Sequence, residues 1–234
     1  MKAILLDIEG TTTPIDFVHR TLFPFAKAKI GEFVAENFDV LQTEITQLKT
    51  EYKKDFSSQI YGRDFRADAP ETVGEYLKFL IEADRKSTPL KSLQGKIWQS
   101  GYESGELESV MFADVPSAFE KWKMENKTIA IYSSGSILAQ KLIFKYSNFG
   151  DLTKCISNYF DTNIGHKREA ESYVKIAHAL NLPPKSLAFV SDIIAELDAA
   201  RVSGFETFLS IRDGNAKIEK QTKHRVIHSF DEIL

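Results

Sequence analysis

Two periodicities divide the chain. Runs of four or five mostly apolar residues occur at Ala3–Leu6, Thr128–Tyr132, 187–190 and Glu206–Ser210. Such runs are apolar on both faces, as expected of strands buried in a parallel sheet. Stretches with helical spacing separate the later ones, at 136–146, 169–180 and 193–202, so the second half of the chain alternates strand and helix. Between about 17 and 112 only the helical period is present. Leu41, Ile45, Leu48 and Tyr52 fall at steps of four, three and four, and Leu90, Leu93 and Ile97 continue the pattern. The expected architecture is therefore α/β: a doubly wound, parallel, Rossmann-like sheet with an inserted helical cap. The α/β core domain spans 1–16 and 113–234, and the cap spans 17–112. The insert leaves the sheet after the first strand, which places it over the carboxyl end of that strand, where open α/β sheets carry their sites.

At four places a strand gives way to polar residues. Asp7 and Glu9 follow the first strand; if the backbone stays extended, both carboxylates project the same way. They can hold a divalent cation, or serve as nucleophile and proton donor, or stand as turn acids beside Gly10. Ser133 and Ser134 follow the second, ahead of a helix, where hydroxyls and free N–H groups cradle phosphate but also cap helices. Lys167 lies in a loop before the helix near Glu169, and by itself reads as a solvated surface lysine. Asp192 ends a further strand, with Glu196 one helical turn on, and can also be a helix cap. The recurrence of such residues at strand ends of one sheet assigns all four places to one site.

Composition narrows the partners. Thirty Lys and Arg against 33 Asp and Glu give a formal charge of −3, without the basic excess expected of a nucleic-acid-binding protein. The single cysteine, Cys155, forms no intramolecular disulfide and offers no zinc cluster; it reads as a small buried apolar residue. The first apolar run is too short for a signal-peptide core or a membrane span, so a cytoplasmic protein with no membrane partner is expected. There is no internal repeat or low-complexity tract.

These residue types suit phosphate monoester hydrolysis. Asp7 would attack phosphorus to form an aspartyl-phosphate, and Glu9 would protonate the leaving group and then activate water. Mg²⁺ would be held by Asp7 and Asp192, with Glu9 helping by side chain or backbone. Ser133, Ser134 and Lys167 would grip the phosphoryl oxygens.

Together the motifs resemble the haloacid dehalogenase superfamily. The run Asp7-Ile8-Glu9-Gly10-Thr11-Thr12-Thr13-Pro14-Ile15 is similar to that of the enolase-phosphatases of methionine salvage, in which glutamate replaces the usual second aspartate. The likeness extends through Leu93-Gln94-Gly95-Lys96-Ile97-Trp98, Tyr132-Ser133-Ser134-Gly135-Ser136, Gly165-His166-Lys167, Glu171-Ser172-Tyr173 and Ser191-Asp192. It implies a bifunctional, Mg²⁺-dependent, monomeric cytoplasmic enzyme. Its substrate would be a small phosphorylated diketone, 2,3-diketo-5-methylthiopentyl-1-phosphate, enolised and then dephosphorylated to an acireductone. Asp7, Glu9 and Asp192 match the metal and catalytic acids, and Ser133, Ser134 and Lys167 the phosphate contacts. The enolisation base is open between Glu9 and Lys167. A phosphatase for another small phosphate, a metal-free dehalogenase and a non-catalytic phosphate binder are the alternatives. The Asp-x-Glu pair argues against the first two, and the presence of both Asp7 and Asp192 against the third.

Overall fold

A computed structural model of the protein describes residues 1–217 and 222–233. Residues 218–221 and 234, within the span assigned to the core, lie outside the described residues. Among those described, six strands form one wholly parallel sheet: β1 (Ala3–Leu6), β2 (Thr128–Tyr132), β3 (Asn158–Phe160), β4 (Leu187–Ser191), β5 (Glu206–Ser210) and β6 (Arg225–Ile227). They lie in the order β3-β2-β1-β4-β5-β6. The chain grows outward from β1 in one direction and then, after β3, returns to its other side. That reversal makes the carboxyl ends of β1 and its neighbours the switch point of the sheet.

The sequence reading missed β3 and β6, for a physical reason. Each has only three residues and lies at a sheet edge, so neither shows the long apolar run that marks a strand buried on both faces. The central strands do: every residue of β1 and β4 is buried. On one face Leu5, Tyr132, Phe189 and Leu209 pack with Tyr173 and Ile176 of α8 (Ala170–Ala179) and Leu197 and Ala200 of α9 (Ile194–Val202). α6 (Asp114–Met124) packs on β2 and buries Phe119 and Trp122, whose rings meet Phe144 of α7 (Ile137–Lys145) and Phe230. A well-filled aromatic layer of this kind stabilises the sheet through both area burial and ring geometry.

The chain divides into two compact units, one of Met1–Val18 with Leu107–Leu234 and one of His19–Glu106. Residues 107–112 thus group with the sheet, although the helical period alone extends the insert to 112. Backbone pairing explains the difference: Ser109 N–H donates to the Tyr146 carbonyl at 2.8 Å, and Phe112 N–H to the Thr12 carbonyl at 3.1 Å. A short helix, α1 (Ile15–Phe17), precedes a π-helical turn at Val18–Leu22 that spans the first unit boundary.

The helical unit holds α2 (Phe23–Glu36), α3 (Gln42–Ser57), α4 (Pro70–Glu82) and α5 (Thr88–Glu103). The apolar stripe Ile45 and Leu48 is buried, while Leu41 closes a 3₁₀ turn ahead of α3. Tyr52 stacks on Phe65 at 5.0 Å in a cluster with Tyr61 and Tyr76. Two buried acids are paired: Glu44 with Lys96 at 2.7 Å, and Asp55 with Arg85 at 2.9 Å and the Tyr76 hydroxyl at 2.7 Å. Removing one partner of such a pair costs more than the pair contributes, because the other charge is left uncompensated. Among the described residues no helix is long and apolar enough to cross a membrane.

Candidate active site

β1 delivers Asp7, whose N–H continues the ladder to the Val190 carbonyl at 3.0 Å. The chain then turns. The Ile8 carbonyl accepts from the N–H groups of Thr11, Thr12 and Thr13, and Gly10 takes a φ of +67°. The extended backbone that would project Asp7 and Glu9 together is therefore not present. Asp7 is buried and Glu9 is half-buried on the turn.

Lys167 is not the solvated lysine that its loop position by itself suggests: it is only 6% exposed. Its Nζ lies 2.7 Å from Asp7 Oδ1 and 2.7 Å from Glu196 Oε2. Burial opposes the charge on this ammonium, but the two carboxylates outweigh it and hold its pKa above the usual value. The loop that delivers Lys167 is fixed from below. The Tyr132 hydroxyl donates to the Gly165 carbonyl at 2.9 Å, and the Tyr173 hydroxyl to the Lys167 carbonyl at 2.7 Å. Gly165 is required there, since its φ is +147° and a Cβ would fall 2.1 Å from Ser172 Oγ.

Ser191 ties the two acids together. Its hydroxyl lies 3.3 Å from Asp7 Oδ2 and 3.1 Å from Glu196 Oε2, and it accepts from Ile193 N–H at 3.1 Å. α9 has Ile193 at its N-cap position and no side-chain cap. Asp192 is free of the capping role considered for it. Its carboxyl is pushed up to about 7, first by burial and then by the charge of Asp7.

The serines divide their roles. Ser136 caps α7, accepting from Ala139 N–H at 3.3 Å. Ser133 is buried at the end of β2, where its N–H donates to the Phe160 carbonyl and its hydroxyl accepts from Gly135 N–H; Ser134 is exposed beside it. Cys155, expected to be buried, is half-buried on a 3₁₀ turn at Thr153–Cys155. The turn keeps it on an edge connection rather than on a core face. The sequence reading noted Glu196 only by its spacing from Asp192, and passed over Ser191 except as part of a motif.

Three buried or half-buried carboxylates, Asp7, Asp192 and Glu196, thus influence one another's charge, and the Lys167 ammonium pairs with two of them, Asp7 and Glu196. Such an excess of negative charge, built from hard oxygen donors, suits a divalent cation of the magnesium type. Gly10 lets Asp192 close on the turn after β1: a Cβ on it would come within 2.5 Å of Asp192 Oδ2. Among the described residues no group of three His, Cys, Asp or Glu side chains forms a ready cage. Glu9 therefore does not complete a three-side-chain cage with Asp7 and Asp192, and its main-chain oxygen is the better candidate donor.

Burial, and after it the charge of Asp7, sets a pH dependence. The Asp192 carboxyl binds its proton more tightly in the folded than in the unfolded protein. Metal-free protein should therefore lose stability as pH rises from about 4 to about 7, by on the order of 2–4 kcal/mol, and level off above. Asp192→Asn should remove that fall, leaving a metal-free variant more stable than the parent at pH 8. Thermal unfolding in chelator across that range measures it.

A buried aspartate at the end of a central strand of a parallel sheet, paired to a loop lysine, suits an α/β hydrolase. Residues 1–204 match the haloacid dehalogenase-like hydrolase family. Enolase-phosphatase E1 of Synechococcus elongatus is 48% identical over 240 residues, covering 100% of this chain and 98% of that protein. Enolase-phosphatase E1 of Leptospira borgpetersenii is 49% identical over 97% of this chain and 96% of its own. The crystal structure of the UTR4 protein of Saccharomyces cerevisiae superposes with a TM-score of 0.75 at 33% identity, covering 98% of both chains. The chain belongs to the haloacid dehalogenase-like hydrolases and, within them, to the enolase-phosphatase family.

Proposed function

We propose that the protein is a bifunctional enolase-phosphatase that enolises 2,3-diketo-5-methylthiopentyl-1-phosphate. It then releases phosphate to give the acireductone 1,2-dihydroxy-3-keto-5-methylthiopentene, a step of methionine salvage. The observation that carries the chemistry is the seating of Asp7. Its Oδ1 is held by Lys167 at 2.7 Å and by Ile8 N–H at 2.8 Å, which among the described residues leaves Oδ2 with the longer contact to Ser191. An oriented carboxylate whose second oxygen is lightly engaged is suited to in-line attack.

Attack would form the phosphorus–Oδ bond as the ester P–O bond breaks, with Glu9 donating a proton to the departing oxygen. Glu9, then ionised, would take a proton from the water that attacks the aspartyl-phosphate, freeing inorganic phosphate and restoring Asp7. Ser133 and Ser134 would bind phosphoryl oxygens at the end of β2. Lys167 is held charged by Asp7 and Glu196, which suits it to neutralising phosphate and not to abstracting the enolisation proton. Of the two groups considered as that base, Glu9 is then the better supported.

Mg²⁺, held by Asp7, Asp192 and the Glu9 carbonyl, would offset the repulsion between an anionic nucleophile and an anionic substrate. The helical unit would act as the substrate-selecting cap, and the enzyme would work as a cytoplasmic monomer. Chelation tests the cation: phosphate release should fall to background and return when Mg²⁺ is added back. Full activity in the presence of chelator would overturn this part of the reading.

A further inference from the structure

The loop after β5 reaches back to the site through Asn215, which no strand-end motif brought to notice. Its Nδ2 donates to the Gly10 carbonyl at 2.9 Å and to the Ser210 carbonyl at 3.2 Å. Two carbonyl acceptors fix which end of the amide carries the hydrogens. The other end, Oδ1, is completely enclosed and has no hydrogen-bond partner among the described residues. A Cβ placed on Gly10 would fall 2.8 Å from that oxygen and 2.5 Å from Asp192 Oδ2. An amide oxygen and a carboxylate oxygen therefore lie together against Gly10, and no donor among the described residues reaches the amide oxygen.

Two acceptors set together repel each other unless a donor or a cation is near, and an enclosed acceptor left unmade costs free energy. An amide also adds an acceptor without adding charge, in a cluster where three carboxylates already outnumber the one ammonium of Lys167. We infer that Asn215 is a positioning residue of the cation site: its NH₂ group fixes the Gly10 carbonyl, and its Oδ1, set beside Asp192 Oδ2, turns the negative end of the amide dipole toward a divalent cation held at Asp7 and Asp192. The inference rests on the cation reading given above. It extends the site to the loop after β5.

The test is direct cation binding without substrate, with Mn²⁺ as the probe and free Mn²⁺ read by electron paramagnetic resonance on the full chain. Asn215→Ala should weaken binding ~10-fold or more, the usual effect of removing a group that orients a metal site. With saturating cation its substrate KM should stay near the parent value. Ser210→Ala is the control. It removes another donor to the Gly10 carbonyl, 3.3 Å away, while keeping the amide oxygen, and should leave Mn²⁺ affinity within about threefold, against the ~10-fold expected of a lost orienting group. If Asn215→Ala does not fold, Asn215→Ser carries the same expectation. Parent-like Mn²⁺ affinity in a folded Asn215 variant, even with a lowered Tm, would overturn the inference and leave the cation reading intact. No Mn²⁺ binding by the parent, or binding indifferent to Asp192→Asn, would overturn both.

Discussion

Asp7→Asn should reduce phosphate release at least ~10⁴-fold while leaving the protein folded. The estimate follows from other enzymes in which removing the nucleophile forfeits nearly all of the chemical acceleration. The amide has the size of the carboxylate but cannot form the aspartyl-phosphate. The fold should hold because the substitution removes negative charge from a crowded place. Asp7 repels the neighbouring acids: its charge raises the pKa of both Asp192 and Glu196, after the larger effect of burial. Lys167 keeps Glu196 as a partner at 2.7 Å. Phosphate release and thermal unfolding on one preparation separate the two effects, and near-normal turnover would exclude Asp7 as the nucleophile.

Lys167→Met should act on both stability and rate. The thioether chain fills most of the volume but leaves Asp7 and Glu196 buried without a counter-charge. Breaking a buried pair from one side costs about 3–5 kcal/mol, which in a protein of this size lowers Tm by on the order of 10 °C. The loss should be greater at pH 8 than at pH 5, since protonation of the crowded carboxylates relieves it. Turnover should fall by a further ~10²–10³-fold with saturating Mg²⁺, the usual effect of losing one preorganised electrostatic contact. A variant with unchanged Tm and rate would place Lys167 outside the site.

Much of this site was legible because Asp7 and Asp192 each follow an apolar run that could only be a buried strand. Ala3–Leu6 and Leu187–Ser191 are adjacent in the sheet, in register from Ala3 with Leu187 to Leu6 with Val190. Register alone therefore brings Asp7 beside Ser191 and Asp192. Lys167 was harder to read. What buries it is Tyr132, 35 residues earlier, and Tyr173 on the next helix, and neither hydroxyl announces a carbonyl partner in sequence. Asn215 lay further still from recognition, in a turn after β5 whose partner Gly10 is near the other end of the chain. The turn at Ile8 also escaped the pattern, because alternation describes a strand and not the residues that leave it. Short edge strands β3 and β6 and the half-buried Cys155 were missed for the same reason: local apolarity reports burial in a core, not position at its margin.

The family membership and the seated Asp7 converge on one reaction, and one assay addresses it. The protein with Mg²⁺ is mixed with 2,3-diketo-5-methylthiopentyl-1-phosphate while inorganic phosphate and the ultraviolet absorbance of the acireductone are followed in the same tube. Both signals should rise together, and both should be absent with Asp7→Asn. Phosphate release without the acireductone signal, or no turnover of this substrate beside good activity on other small phosphates, would contradict the enolase-phosphatase assignment.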